Sequence, residues 1–335
     1  MTTRAVLLIA QLLSLALIPQ PGKARNTYQA TITATITVAA SGATASAATL
    51  HIPALGLTAQ ADPAGRIKLT VAIPAPALAV TITVTAPGHA PWTVRNVSLV
   101  AADTLQLEPT LGAAPTTIDI PDPATLPHPI EPAGAGHLDS SPSGAPPGSL
   151  IDPPATIRVR VTGSTACDTS APYTLVTLDF KDYVKHVLPF EWIRSWPEDS
   201  LKAGAMATKS YAWHWINRGG KWPDADVYDS TCDQVYKPGI TYASTDTAIE
   251  ATWLAHMTRS NAILHASYRA YWSQCQTAGL VGSCMGQYES RDMATAGSSW
   301  LDILHYFYAN VSIAYPNVVY VPLLTSDNGG GDAQP

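Results

Sequence analysis

The order of apolar and polar positions divides this chain in two. Between residues 27 and 112, β-branched runs at 31–38, 67–71 and 78–85 are separated by turn residues such as Asp62-Pro63-Ala64-Gly65. Short strands punctuated in this way predict a small antiparallel β-sandwich. Beyond Thr156 the pattern turns helical. Leu201, Ala205, Thr208, Ala212 and Ile216 follow at i, i+4, i+7, i+11 and i+15 and define one packing face. Ser195-x-x-Glu198, with Pro197 in the first turn, reads as a capping box. The helix is expected to run to about Asn217 and stop at Gly219-Gly220. Further helices are expected at 245–256 and 299–309, and strands at 157–161, 175–178 and 262–271. The expected architecture is therefore an all-β sandwich (27–112) followed by an α+β domain (156–320), with a flexible tail at 321–335.

Composition separates these halves further. Eleven of the 28 prolines fall within 113–155, which marks a semi-rigid extended linker that either holds the second half away from a wall or membrane surface or simply tethers the two halves. Eight of the nine tryptophans lie beyond Thr156. Arg4, the apolar run 5–18 and the small residues around Gly22-Lys23-Ala24 read as an export signal over 1–24, too short to span a bilayer. A secreted, extracytoplasmic protein follows as the expectation. Charged residues are only 13% and the net charge is −6, with no polybasic run, so nucleic acid is excluded as a partner class.

All four cysteines (Cys167, Cys232, Cys275 and Cys284) lie in the second half. An even number in an exported chain suggests one or two disulfides, with Cys275 and Cys284 the natural close pair and Cys167 and Cys232 the remainder. Spacing alone does not decide the connectivity. A zinc site built from His186, His214, Cys232 and His305 would need ligand spacing that the sequence does not show, so no cofactor is expected.

The chemistry centres on Glu191, the only carboxylate in the apolar run Tyr183-Val184-Lys185-His186-Val187-Leu188-Pro189-Phe190-Glu191-Trp192. Such an acid is either corrected by a buried partner or has a pKa raised for general-acid work. Lys202 and Lys209 are seven residues apart, hence on one helix face, and either line a groove beginning at Glu191 or are simply solvated. Gln234 and Tyr236, with Tyr271 and Ser273, add aromatic faces and polar groups of the kind a sugar-binding cleft uses, although aromatics alone more often build a core.

Two resemblances add to this reading. Residues 156–314 resemble the SpoIID/LytB family. The likeness is carried by Glu191-x-x-x-Ser195-Trp196-Pro197, Leu201-Lys202-Ala203-x-Ala205-x-Ala207-x-x-x-Tyr211-Ala212, Asp229-Ser230-Thr231-Cys232-Asp233-Gln234-Val235-Tyr236-x-x-Gly239, Ala270-Tyr271-Trp272-Ser273 and Met285-x-Gln287. The turn at Asp62-Pro63-Ala64-Gly65, Pro87-Gly88-His89 and the closing Leu105–111 segment resemble a carboxypeptidase regulatory-like β-sandwich. The first resemblance implies lytic transglycosylation of peptidoglycan glycan strands in the cell wall. Glu191 would be the catalytic acid and base, and Lys202 would be held to the substrate. Lys209 stands where the family usually carries arginine. A hydrolytic glycosidase normally needs two carboxylates, whereas closure of a 1,6-anhydro ring needs one. The alternative that the family implies is a non-catalytic wall-binding protein that enhances an amidase.

Overall fold

A computed structural model describes residues 27–121 and 152–316. The expected export signal, most of the linker and the tail at 321–335 lie outside the described residues. The first half contributes β1 (Tyr28–Thr35), β2 (Thr37–Val38), β3 (Thr49–Ile52), β4 (Leu57–Gln60), β5 (Arg66–Ile73), β6 (Ala77–Thr85), β7 (Trp92–Val100), β8 (Thr104–Leu107), β9 (Thr110–Leu111) and β10 (Thr116–Asp119). The second begins with β11 (Thr156–Val161), β12 (Thr174–Asp179), α1 (Phe180–Glu191) and α2 (Glu198–Asn217). It continues through β13 (Val227–Tyr228), β14 (Ile240–Tyr242), α3 (Ala243–Thr252), β15 (His256–Arg259), β16 (Ala262–Ile263) and β17 (Ser267–Arg269). It closes with α4 (Trp272–Thr277), β18 (Cys284–Gly286), α5 (Gln287–Thr295), α6 (Trp300–Phe307) and β19 (Ser312–Ala314).

The β-rich half is built by alternation. Ala30, Ile32 and Ala34 of β1 point inward, as do Val80, Ile82 and Val84 of β6, and they meet in one core between two sheets. One sheet runs β10-β7-β6-β3-β4. The register slips between Val80 and Ile82, opposite Asn96 at φ 57°, a residue type that tolerates the left-handed region. The expected linker starts later than its prolines imply. Residues 116–119 form β10 and pair in parallel with β7, so this stretch belongs to a sheet.

Where they are described, the two halves share a sheet. The other sheet runs β14-β8-β1-β5, so a strand from the second half completes it: Ile240, Thr241 and Tyr242 pair antiparallel with Leu107, Gln106 and Leu105. Phe190, Val235, Ile240 and Tyr242 bury their side chains in the sandwich core. Gly239, at φ 72°, makes the approach. A Cβ there would lie 2.9 Å from the Glu108 carbonyl, and the Glu108 N–H donates to the Gly239 carbonyl at 2.8 Å. The Asp103 carboxylate accepts from the Ser244 N–H and hydroxyl and so caps α3 from across the junction.

In the α+β half, α2 is the central element. It ends where expected, with Gly219 and Gly220 both at positive φ. Its start differs: Pro197 is the N-cap and Glu198 the first helical residue, so the third residue is Ser200 and no Ser195–Glu198 box forms. Its burial differs too. From Ala203 to Trp213 every residue is buried, because α1, α3, α5, α6 and β15 surround it. The stretch expected as one strand at 262–271 splits into β16 and β17, which have different partners, β15 and β18. Helix α3 ends at Thr252, before the expected 256, because His256 starts β15. Among the described residues no helix is long and apolar enough to cross a membrane.

Candidate active site

Glu191 is the last residue of α1, a helix capped at its start by Asp179, whose side chain accepts from the Asp182 N–H. Its neighbours are buried in opposite directions. Phe190 enters the sandwich core and Trp192 the core of the second half, which leaves Glu191 at the junction. Trp192 lies on Gly204 of α2 so closely that a Cβ there would come within 2.5 Å of the indole. Its indole N–H also donates to Ser290 Oγ. The chain direction at Glu191 is thus fixed from both sides.

The Glu191 carboxyl is held by one short bond: Oε1 accepts the Val235 N–H at 2.6 Å. Its backbone carbonyl accepts from Gln287 Nε2 at 2.6 Å. Burial raises its pKa to about 8, against the opposing pull of the Val235 N–H and the Arg269 charge. No other carboxylate contributes to that shift. The residue as a whole remains partly exposed, although its carboxyl is desolvated. At neutral pH it is a protonated carboxylic acid, able to donate.

Nearby acids are occupied. Asp233 accepts from Tyr211 Oη, Lys221 Nζ, Trp222 Nε1 and the Tyr228 N–H, all within 2.8 Å. Asp229 accepts from the Thr162 N–H and hydroxyl and the Gly163 N–H. These carboxylates brace the turn that delivers Val235. Cys167 and Cys232 form a disulfide that ties the same turn to the segment after β11.

The expected substrate contacts divide into two groups. Tyr271 is 48% exposed and stacks on Tyr288, with ring centroids 4.9 Å apart and planes within 10°. Trp196 meets Tyr288 edge-on at 5.1 Å, and the Arg291 guanidinium lies 5.0 Å from the Tyr288 ring. Ser273 is exposed beside them on α4. The Cys275–Cys284 disulfide joins α4 to β18, which leads into Gln287 and Tyr288. Tyr288 of this aromatic shelf therefore directly follows Gln287, which holds the Glu191 carbonyl.

The other expected contacts are structural. Lys209 is only 1% exposed and donates to the carbonyls of Thr252, Trp253 and Ala255, closing the C-terminus of α3. It does not line a groove, because α2 is enclosed on that side. Burial, with the charge of Lys181, lowers its pKa to about 7. Three carbonyl acceptors act the other way, since only the ammonium form has three N–H groups to give.

Gln234 is fully buried. It accepts from Tyr183 Oη and donates to Tyr268 Oη and the Thr208 carbonyl, so it holds two phenols beneath the site. Tyr236 is 6% exposed and stacked on Tyr183. Lys202 keeps partial exposure but pairs with Glu198 at 2.7 Å. Glu198 thus serves an ion pair in place of the expected cap. Among the proposed zinc ligands, Cys232 is taken by its disulfide, and no three His, Cys, Asp or Glu side chains converge among the described residues.

Sequence reasoning passed over three groups at Glu191: the Val235 N–H, Gln287 and Arg269. Val235 and Gln287 stood inside the quoted motifs as spacing rather than chemistry. Arg269, 7% exposed with Nη1 on the Tyr268 carbonyl, was signalled only by a charge within a strand-like run.

Residues 171–260, which include Glu191, Lys202, Lys209, Gln234 and Tyr236, match the family described as SpoIID, Stage II sporulation protein. An uncharacterized protein of Brachyspira hyodysenteriae is 45% identical over 60 residues. That match covers 18% of this chain and 16% of the relative.

Proposed function

We propose that this protein is a secreted lytic transglycosylase that cleaves peptidoglycan glycan strands with Glu191 as its single acid and base. The observation that carries the reading is a carboxyl whose desolvation raises its pKa to about 8, on a residue that is partly exposed as a whole, with no second carboxylate acting on it. The match of residues 171–260 to the SpoIID family supports cell-wall chemistry as the setting.

Val235 binds Oε1, which leaves Oε2 to carry the proton. Glu191 gives that proton to the glycosidic oxygen as the bond from the muramic acid C1 breaks. The resulting carboxylate takes the proton from the C6 hydroxyl while O6 bonds to C1. A 1,6-anhydro end forms, the leaving sugar keeps the first proton, and Glu191 is protonated again. The positive charge developing on the ring is met by a carboxylate as it forms, and water takes no part.

The aromatic shelf of Tyr271, Tyr288 and Trp196 would seat sugar rings whether or not a bond is cut. It therefore also suits the alternative, a wall-binding enhancer of an amidase. Incubating the full chain with purified glycan strands and identifying fragment ends by mass spectrometry separates the two readings. Anhydro ends support cleavage, and binding with intact strands supports the enhancer.

A further inference from the structure

A cavity of about 520 Å³ opens where the sandwich meets the second half. Its walls include Ala101 from the turn between β7 and β8, Thr104 at the start of β8, Arg194 and Trp196 between α1 and α2, Glu198 at the start of α2 and Thr247 in the middle of α3. None of these groups takes part in the proton transfers at Glu191.

Arg194 is the unusual member. It is 6% exposed, with its guanidinium 4.6 Å from the Tyr242 ring. Nη1 donates to the Pro189 carbonyl at 2.6 Å, and Nε has no partner. Among the described residues no carboxylate pairs with it. A buried cation supported so thinly is costly, and acceptors from a ligand would lower that cost.

The charges around it limit the ligand. Asp103 and Glu198 are on the same walls, which disfavours an anion. Both are already compensated, Asp103 by the Thr104 N–H and by Ser244, and Glu198 by Lys202. A neutral ligand rich in oxygen acceptors and with an apolar face fits best: it can accept from Arg194 and stack on Trp196. Trp196 also ties this cavity to the shelf at Tyr288, next to Gln287, which holds Glu191.

We propose that this junction cavity binds an N-acetylhexosamine unit of a glycan chain, with the sandwich turn at 100–104 as one of its walls. The proposal rests on the glycan-strand reading for its biological setting, but its test does not require cleavage. The sandwich thereby becomes part of the binding cleft.

The test titrates the full chain with a hexamer of N-acetylglucosamine, which has no muramic acid and so is not a substrate for anhydro-ring formation as proposed here. Calorimetry should show binding, and Ala101→Trp, which fills the sandwich wall, should weaken it about tenfold. Hydrogen exchange of wild type at residues 100–104 should slow when the hexamer is present. That second measurement decides the matter if the variant does not fold. No binding by wild type, equal affinity in a folded Ala101→Trp, or unchanged exchange at 100–104 in the bound protein would each overturn the proposal. Because the probe is not cleaved, a failed cavity and a failed transglycosylase give different results.

Discussion

The Val235 N–H donates to Glu191 Oε1 at 2.6 Å, and the side chains flanking that bond belong to the sandwich core. Val235 itself is buried there, as is Phe190, the residue before Glu191. The acid and the backbone group that orients it are therefore anchored in the sandwich core as well as in their own half. Trp192 and the Asp233 network provide the opposing anchorage.

Replacing Glu191 with Gln should remove the acid while keeping the fold. The carboxyl is already neutral at pH 7, so the amide preserves its size and uncharged state. Strand cleavage should fall by about 10²–10⁴-fold, the range typical for losing a general acid. Circular dichroism should be unchanged.

The same carboxyl makes stability depend on pH. Its ordinary pKa of 4.5 applies to the unfolded chain and about 8 to the fold, so the native state binds the proton more tightly. Its favourable contribution is complete below 4.5 and is lost as pH rises toward 8. The wild-type melting temperature should therefore decline relative to Glu191→Gln across that interval. Cleavage should also fall above about pH 8, approaching tenfold per pH unit, because the acid must begin protonated.

Lys209→Ala should act on stability rather than on substrate. It removes three charge-assisted bonds to the end of α3 and leaves a cavity, at a cost of about 3 kcal/mol or more. The folded fraction should retain the wild-type KM. A raised KM with unchanged melting would return Lys209 to the binding groove.

At Gly204 the prediction concerns position. The added methyl of Gly204→Ala would press on the Trp192 indole, so about 1–3 kcal/mol of stability should be lost to overpacking. Displacing Trp192 shifts the adjacent Glu191, so cleavage should drop in the protein that remains folded. Thermal melts and rates from the same sample check both effects.

The shared core predicts that the halves unfold together. A chain beginning at residue 152 would expose Phe190, Val235, Ile240 and Tyr242 and leave β14 without β8. Calorimetry of the full chain should give one transition, and the isolated second half should not fold cooperatively. Two independent transitions would contradict the joint core.

Much of this was legible in the sequence where the signal was local. The inner strands, α2 with its Gly219-Gly220 stop, and the isolation of Glu191 among apolar residues follow from period and turn chemistry. Lys209 was misread because the spacing of Leu201, Ala205, Thr208, Ala212 and Ile216 marks one packed face and says nothing about the opposite face. Long-range packing covers that face as well. The Ser195–Glu198 box failed because Pro197 sets the helix start two residues later than the motif requires. β14 was out of reach for a related reason: three residues gain their strand character from Leu105–107, more than a hundred positions away. The Val235 N–H is a backbone group, and no residue type announces it.

The central claim is that one carboxyl closes an anhydro ring and water takes no part. The most direct measurement digests glycan strands in water enriched in heavy oxygen and reads the new ends by mass spectrometry. The account predicts 1,6-anhydro ends free of label from wild type and none from Glu191→Gln. Reducing ends that carry the heavy oxygen, or anhydro ends formed equally by the variant, would contradict it.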